Sequence, residues 1–222
     1  MYSIAIDGPT GAGKSTVARA VAKYLNYIYV DTGALYRAIG YTALKKGIDV
    51  KDISLVEELL KQLSISIEYV DSKQHVFVNE VDVTDSIRTE DVSMAASSIS
   101  AHAAVRTFLL ELQRSFARQS NVIMDGRDIA TVVLPNADVK IFLTATSEER
   151  ARRRQKELVA KGLTAEYEDV LADLMTRDYN DSHRPIAPLV AAADSIIVDT
   201  TNLTFEEVVE LIVSIVKEKV YI

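Results

Sequence analysis

The chain has 222 residues, 48% of them hydrophobic and 26% charged, with a formal net charge of −7. That balance suits one globular domain with a small insert, and its acidic sign argues against nucleic acid or an anionic membrane surface as partner. There is no cysteine, which excludes disulfides and thiolate metal sites, and the three histidines lack the spacing of a zinc site.

The first stretch, "YSIAID", is a short apolar run ending at Gly8-Pro9, which predicts a buried strand and a turn. Met1 leads straight into it and no later apolar run is long enough to span a membrane, so a cytoplasmic protein without a signal peptide is expected. From Lys14, "KSTVARAVAKYL" sets Val17, Val21 and Leu25 on one helical face. "YIYVD" follows as a second strand, and "GALYRAIGYTALKKG" as a helix closed by Gly47. Strand, helix, strand, helix at this pitch implies parallel strands joined by crossovers.

The period then changes. "SISIEYV", a polar turn "DSKQ" and "HVFVNEVDVT" alternate with period two, which predicts an antiparallel hairpin insert over roughly 63–84. Helical sequence resumes through "MAASSISAHAAVRTFLLELQRSFARQ", bent near His102. "NVIMDG" and "DVKIFLTA" read as buried strands, followed by an arginine-rich helix from Ser147 and a polar helix through Asp181. "SIIVDT" is the last strand and a closing helix starts at Thr204. "SHRPIAPLVAAA", with Pro185 and Pro188, reads as a loop. Five core strands alternate with helices, without internal repeats.

The stretch "GPTGAGKST" (Gly8, Pro9, Thr10, Gly11, Ala12, Gly13, Lys14, Ser15, Thr16) fits G-x-x-x-x-G-K-[ST] between the first strand and first helix. Glycines let backbone N–H groups turn inward around phosphate oxygens. The helix N-terminus adds a positive end, Lys14 reaches the β and γ phosphates, and the Ser15 hydroxyl suits a Mg²⁺ position. The expected fold is therefore an α/β P-loop NTPase core with a five-stranded parallel sheet, binding ATP or GTP with Mg²⁺. No N-K-x-D segment is present to read guanine, and no apolar strand ends in the paired acids of a motor ATPase.

"DTGALYR" places Asp31, Thr32 and Arg37 at the end of the second strand, and "MDGRD" places Asp125, Arg127 and Asp128 at the end of another. Ligands of an open parallel sheet sit at the carboxyl ends of its strands, so these segments converge with the glycine loop on one crevice. Cationic forks beside a triphosphate suit a small phosphorylated acceptor. Asp31 and Asp125 read either as turn residues or as outer contacts of Mg²⁺ through water. In "EERARRR", Glu148 and Glu149 can pair with Arg152 and Arg153 along the helix, yet Arg150, Arg153 and Arg154 share a face and exceed what two glutamates balance. His75, His102 and His183 read as surface or structural residues.

The chain resembles the nucleoside monophosphate kinases, and among them the bacterial cytidylate kinases, nearly end to end. The resemblance is carried by "IDGPTGAGKST", "YVDTGALYRA", "VDVTDSIR", "AASSIS" with "VR", "MDGRDIATVVLPNADVKIFL", "ERARRR" and "RDYNDSHRPIAPL". It implies one kinase domain over 1–222, with a monophosphate-binding insert at about 33–106 and an arginine-bearing helical lid at about 150–180. Carried over by position, Thr32, Arg37, Arg106 and Arg127 contact the CMP phosphate region. Ser97, Asp128 and Arg184 read the cytosine edge, and Arg177 and Asp181 approach the sugar. Lys14, Arg127 and either Arg153 or Arg154 act on the transferred group, with Arg150 on the ATP phosphates.

An ionised Asp128 accepts from the exocyclic amine of cytosine and repels the uracil carbonyl, a difference on the order of 1–3 kcal/mol. The sequence departs from the family at Ala130, where glycine is common. The expected reaction is transfer of the ATP γ-phosphoryl group to CMP or dCMP in pyrimidine nucleotide metabolism, by a monomer. Alternatives are a UMP or AMP kinase and a non-catalytic nucleotide sensor.

Overall fold

The computed structural model describes residues 1–70, 73–160 and 162–220. In chain order, β1 (Ser3–Asp7), α1 (Lys14–Leu25), β2 (Ile28–Asp31) and α2 (Thr32–Lys45) open the core. Next come α3 (Ile53–Leu60), β3 (Ile65–Val70), β4 (Lys73–Val78), β5 (Val81–Asp82), α4 (Glu90–Ile99) and α5 (Ala103–Gln119). The core resumes with β6 (Val122–Gly126), a π-helical turn (Ile129–Val133) and β7 (Val139–Thr144). Helices α6 (Ser147–Ala160) and α7 (Tyr167–His183) precede β8 (Ile196–Asp199) and α8 (Phe205–Val220).

The main sheet has the order β2-β6-β1-β7-β8, with every neighbouring pair parallel. Alternate residues of β1 serve opposite faces, as a strand covered on both sides requires. Ile4 and Ile6 pack with Val17, Val21, Ile212 and Val216 of α1 and α8, whereas Ala5 packs with Val30, Met124, Ile129 and Val133. The register sets Asp31 beside Asp125 and Asp7 beside Gly126, so three acids on adjacent strands lie within one residue of the same level.

The insert has its own core, in which Leu35 and Ile39 of α2 meet Val56, Leu59, Ile87, Ile99 and Leu109. Its sheet has three strands in the order β3-β4-β5, where the sequence pattern predicts two. Asn79 and Glu80 take φ of 46° and 67°, which breaks the "HVFVNEVDVT" run into β4 and β5. Lys73 and Gln74, read as turn, belong to β4, while Asp71 and Ser72 of that turn lie outside the described residues, as does Lys161 of the lid range. Gln74 docks the insert on the core sheet: its Oε1 accepts from the Asp31 N–H at 2.8 Å and its Nε2 donates to the Asp31 carbonyl at 3.2 Å. The expected bend at His102 is a full break between α4 and α5, with the imidazole Nε2 2.8 Å from the Val50 carbonyl.

Candidate active site

The glycine loop turns between β1 and α1 because two positions have no room or no geometry for a side chain. A Cβ on Gly8 would lie 1.9 Å from the Leu143 carbonyl oxygen, and Gly13 caps α1 with φ 83°. No side chain caps the first turn of α1, so its N–H groups face the loop as an anion site. Lys14 is buried, and its Nζ donates to the Pro9 carbonyl at 2.7 Å. Burial and then the nearby Arg127 charge push its ammonium down to about 7, against the pull of Asp125, Asp181 and Asp7. Thr10 is held by α7, its N–H donating to Asp178 Oδ1 at 3.1 Å.

Asp125 receives two hydroxyl donors, Ser15 Oγ at 2.6 Å and Tyr29 Oη at 2.9 Å. Burial first, and the neighbouring Asp31 charge second, raise its carboxyl above the ordinary value. Burial also acts upward on Asp31, but Arg37, the Ala34 N–H and Arg88 outweigh it and leave Asp31 below the ordinary carboxylate range. Asp31 caps α2 through Ala34 at 2.9 Å, the turn role read from the sequence, and also pairs with Arg37 at 2.8 Å. Thr32 Oγ1 donates to the Asp125 carbonyl at 2.7 Å, tying the start of α2 to the end of β6.

Beyond β6 the cations gather. Arg127 Nε donates to Asp181 at 2.6 Å and its Nη2 to Thr10 Oγ1 at 2.9 Å, linking the β6 end, α7 and the glycine loop. Asp128 is buried between Arg106, which pairs with it directly, and Arg184 at 3.4 Å. Arg184 also lies 4.0 Å from Asp181 and donates to the Ala187 carbonyl at 2.6 Å. A cavity of about 240 Å³ opens beside this group, lined by Tyr36, Arg106, Gln113, Asp128, Val132 and Ile186. Ser97 is half-buried on α4, where its carbonyl accepts from Ser100 at 2.8 Å. A larger cleft of about 420 Å³ lies beside Ser3 and Asn136, at the opposite end of β1, and contains none of these residues.

The arginines of α6 separate where their spacing puts them on one face. Arg150 alone reaches the glycine loop, its Nη1 donating to the Thr10 carbonyl at 2.8 Å and to Asp178 at 2.5 Å. Arg153 turns to Glu149 at 3.0 Å and to the Thr200 carbonyl at 2.7 Å, beyond the end of β8. Arg154 and Arg177 both pair with Glu90 at the start of α4, Arg154 at 3.0 Å. Three and four residues apart on α6 are neighbours, but long side chains settle on whichever carboxylate or carbonyl lies within reach.

Residues 4–218 match the family model for cytidylate kinase. The chain belongs to the cytidylate kinase family. A cytidylate kinase of Leuconostoc mesenteroides subsp. mesenteroides is 48% identical over 219 residues, covering 99% of this chain and 98% of its own. One from Carboxydothermus hydrogenoformans is 50% identical, covering 97% of each chain. Among solved structures, a shikimate kinase from Bacteroides thetaiotaomicron aligns with TM-score 0.50 at 16% identity, over 100% of this chain and 99% of its own. A gluconokinase from Sinorhizobium meliloti 1021 does so with TM-score 0.50 at 15% identity, over 99% and 95%. At that identity the structural likeness concerns the fold alone.

Four residues of this kinase escape sequence reasoning. Asp7 had the signal of an acid closing an apolar strand directly before Gly8, yet a buried acid there reads equally as a turn residue. Asp178, next to Arg177, holds both Thr10 and Arg150. Tyr29 donates to Asp125, and Glu90 joins α4 to both α6 and α7, pairings between distant segments that no local pattern announces.

Proposed function

We propose that this member of the cytidylate kinase family transfers the γ-phosphoryl group of ATP to CMP or dCMP, giving ADP and CDP or dCDP, and acts as a cytoplasmic monomer. The observation that carries the reading is the gathering of Lys14, Arg37, Arg106 and Arg127, each held by a carbonyl or carboxylate partner, around the carboxyl ends of β1, β2 and β6. The acceptor phosphate is already an anionic nucleophile, so the step needs positioning and charge neutralisation rather than a strong base. An oxygen of the CMP phosphate bonds to the γ-phosphorus as the bond to the β,γ-bridging oxygen of ATP breaks.

The glycine loop and Lys14 bind the ATP phosphates, with Arg150 holding the loop closed from the lid side. Thr32, Arg37, Arg106 and Arg127 take the CMP phosphate. When Arg106 moves to that phosphate, Asp128 is freed to accept from the exocyclic amine of cytosine. Arg184 and Ser97 complete the base edge, and Asp181 and Arg177 face the sugar. Arg153 and Arg154, now on Thr200 and Glu90, are the lid cations available to the transferred group on closure. The insert at about 33–106 and the lid at about 150–180 act as the two closing parts.

The residues present fit magnesium. Ser15 Oγ and the buried Asp125 carboxylate meet at 2.6 Å, hard oxygen donors of the kind magnesium takes. Among the described residues no group of three or more His, Cys, Asp or Glu could hold a metal, so the ion belongs with the nucleotide phosphates. Ser15 and Asp125 would hold magnesium from the protein side, where it would supply charge neutralisation to the transfer.

The test is to mix the protein with Mg·ATP and, separately, CMP, dCMP, UMP, AMP and GMP, and to follow ADP release. Fastest turnover with CMP and dCMP is expected. Faster turnover with AMP or UMP, or none with CMP, would overturn the reading.

A further inference from the structure

Asp7 ends β1 with 1% of its surface exposed, and its carboxylate faces the backbone that follows Asp128. Its Oδ1 accepts from the Ile129 N–H at 2.9 Å and its Oδ2 from the Ala130 N–H at 2.7 Å. These are the first two N–H groups of the π-helical turn, and Asp128, at the head of that turn, makes no side-chain cap of its own. A residue of β1 thus caps the turn from across the sheet. With φ −147° and ψ 28°, Asp128 lies outside the regular helical and strand regions, so its backbone direction depends on what fixes the peptides on either side. Gly126 precedes it in register with Asp7, and Ile129 and Ala130 follow it on Asp7 oxygens.

We propose that Asp7 is a positioning residue for acceptor-base selectivity: by holding both peptide N–H groups after Asp128, it aims the Asp128 carboxylate at the base edge. The inference rests on Asp128 reading the cytosine amine, and it adds the group that makes that reading directional. A residue kept only for packing would be apolar here, since Asp7 lies in the sheet interior and burial pushes its carboxyl up to about 6 against the pull of those two N–H groups. The charges that face it are Asp128 from the turn and Lys14 from α1. Because Asp7 adjoins Gly8, one side chain links the frame of the phosphate loop to the frame of the base reader. A misaimed carboxylate still binds pyrimidines but loses its preference between an amine and a carbonyl.

The test compares kcat/KM for CMP with kcat/KM for UMP in the wild type, D7N and D128N. Asp7→Asn keeps the shape but turns one acceptor into a donor that faces an N–H. The CMP to UMP ratio is expected to fall about tenfold in D7N, the effect of one hydrogen bond, and at least as far in D128N. If D7N lowers both acceptors equally and leaves the ratio at its wild-type value while D128N lowers it, the inference fails and the base reading stands. If D128N leaves the ratio unchanged, the base reading fails and the inference with it. Should D7N not fold, Asp7→Ser, smaller and able to satisfy one N–H only, is expected to lower the ratio in the same way, and an unchanged ratio there counts equally against the inference.

Discussion

Asp7, Asp31 and Asp125 end three adjacent strands, yet the fold loads each carboxyl differently. Arg37 and a helix N–H hold Asp31 down, while burial and a neighbouring acid hold Asp125 up. Asp7 rises from the ordinary 3.8 to about 6, through burial before any other cause. Between those two values the folded chain keeps a proton that the unfolded chain has lost, so stability falls as pH rises through the window. Two pKa units correspond to about 3 kcal/mol. In urea unfolding at a series of pH values, the stability of the wild type relative to D7N is expected to shrink by roughly that amount from about pH 4 to about pH 6.5 and then to level off. A constant or widening difference would contradict the assigned burial cost. The convergence of the glycine loop, "DTGALYR" and "MDGRD" on one end of the sheet is legible because each follows a predicted parallel strand. The placement of Asp7 is not legible there, because its partners are two backbone N–H groups more than a hundred residues away.

Helices α2 and α4 meet at Gly40, where a Cβ would stand 3.0 Å from the Ala96 nitrogen and 3.2 Å from the Ala95 Cβ. Gly40 lies in mid-helix, where alanine is intrinsically the better residue by about 1 kcal/mol, so only packing argues for the glycine. Overpacking costs about 1–3 kcal/mol, which outweighs that gain. Gly40→Ala is expected to lower the Tm by roughly 2–6 °C in a thermal melt, and a raised Tm would show that α4 can shift freely. The parallel core was readable from strand length and helical pitch. The insert was less so: its alternating run hides the break at Asn79 and Glu80, and the π-helical turn after Asp128 has an apolar sequence, "IATVV", that β6 and β7 overshadow. Neither α3 nor that turn has a period long enough to declare itself.

Across the whole molecule, an acidic chain gathers four of its guanidinium groups at one crevice and holds each with a carboxylate. Arg37 is on Asp31, Arg106 on Asp128, Arg127 on Asp181 and Arg150 on Asp178. Glu90 extends the pattern between parts, joining α4 of the insert to Arg154 of α6 and Arg177 of α7. Such pairs keep cations oriented, and in the proposed reaction an incoming phosphate replaces a carboxylate instead of ordering a loose side chain. If that exchange is the basis of catalysis, the acceptor phosphate itself must supply much of the affinity, through Arg37 among others. The direct measurement is calorimetric binding of CMP and of cytidine to the wild type and to Arg37→Ala. CMP is expected to bind the wild type at least about a hundredfold more tightly than cytidine, two charge-assisted hydrogen bonds' worth, with that gap about tenfold smaller in the variant and cytidine affinity little changed. Equal affinity for CMP and cytidine in the wild type, or an undiminished gap in the variant, would contradict the account.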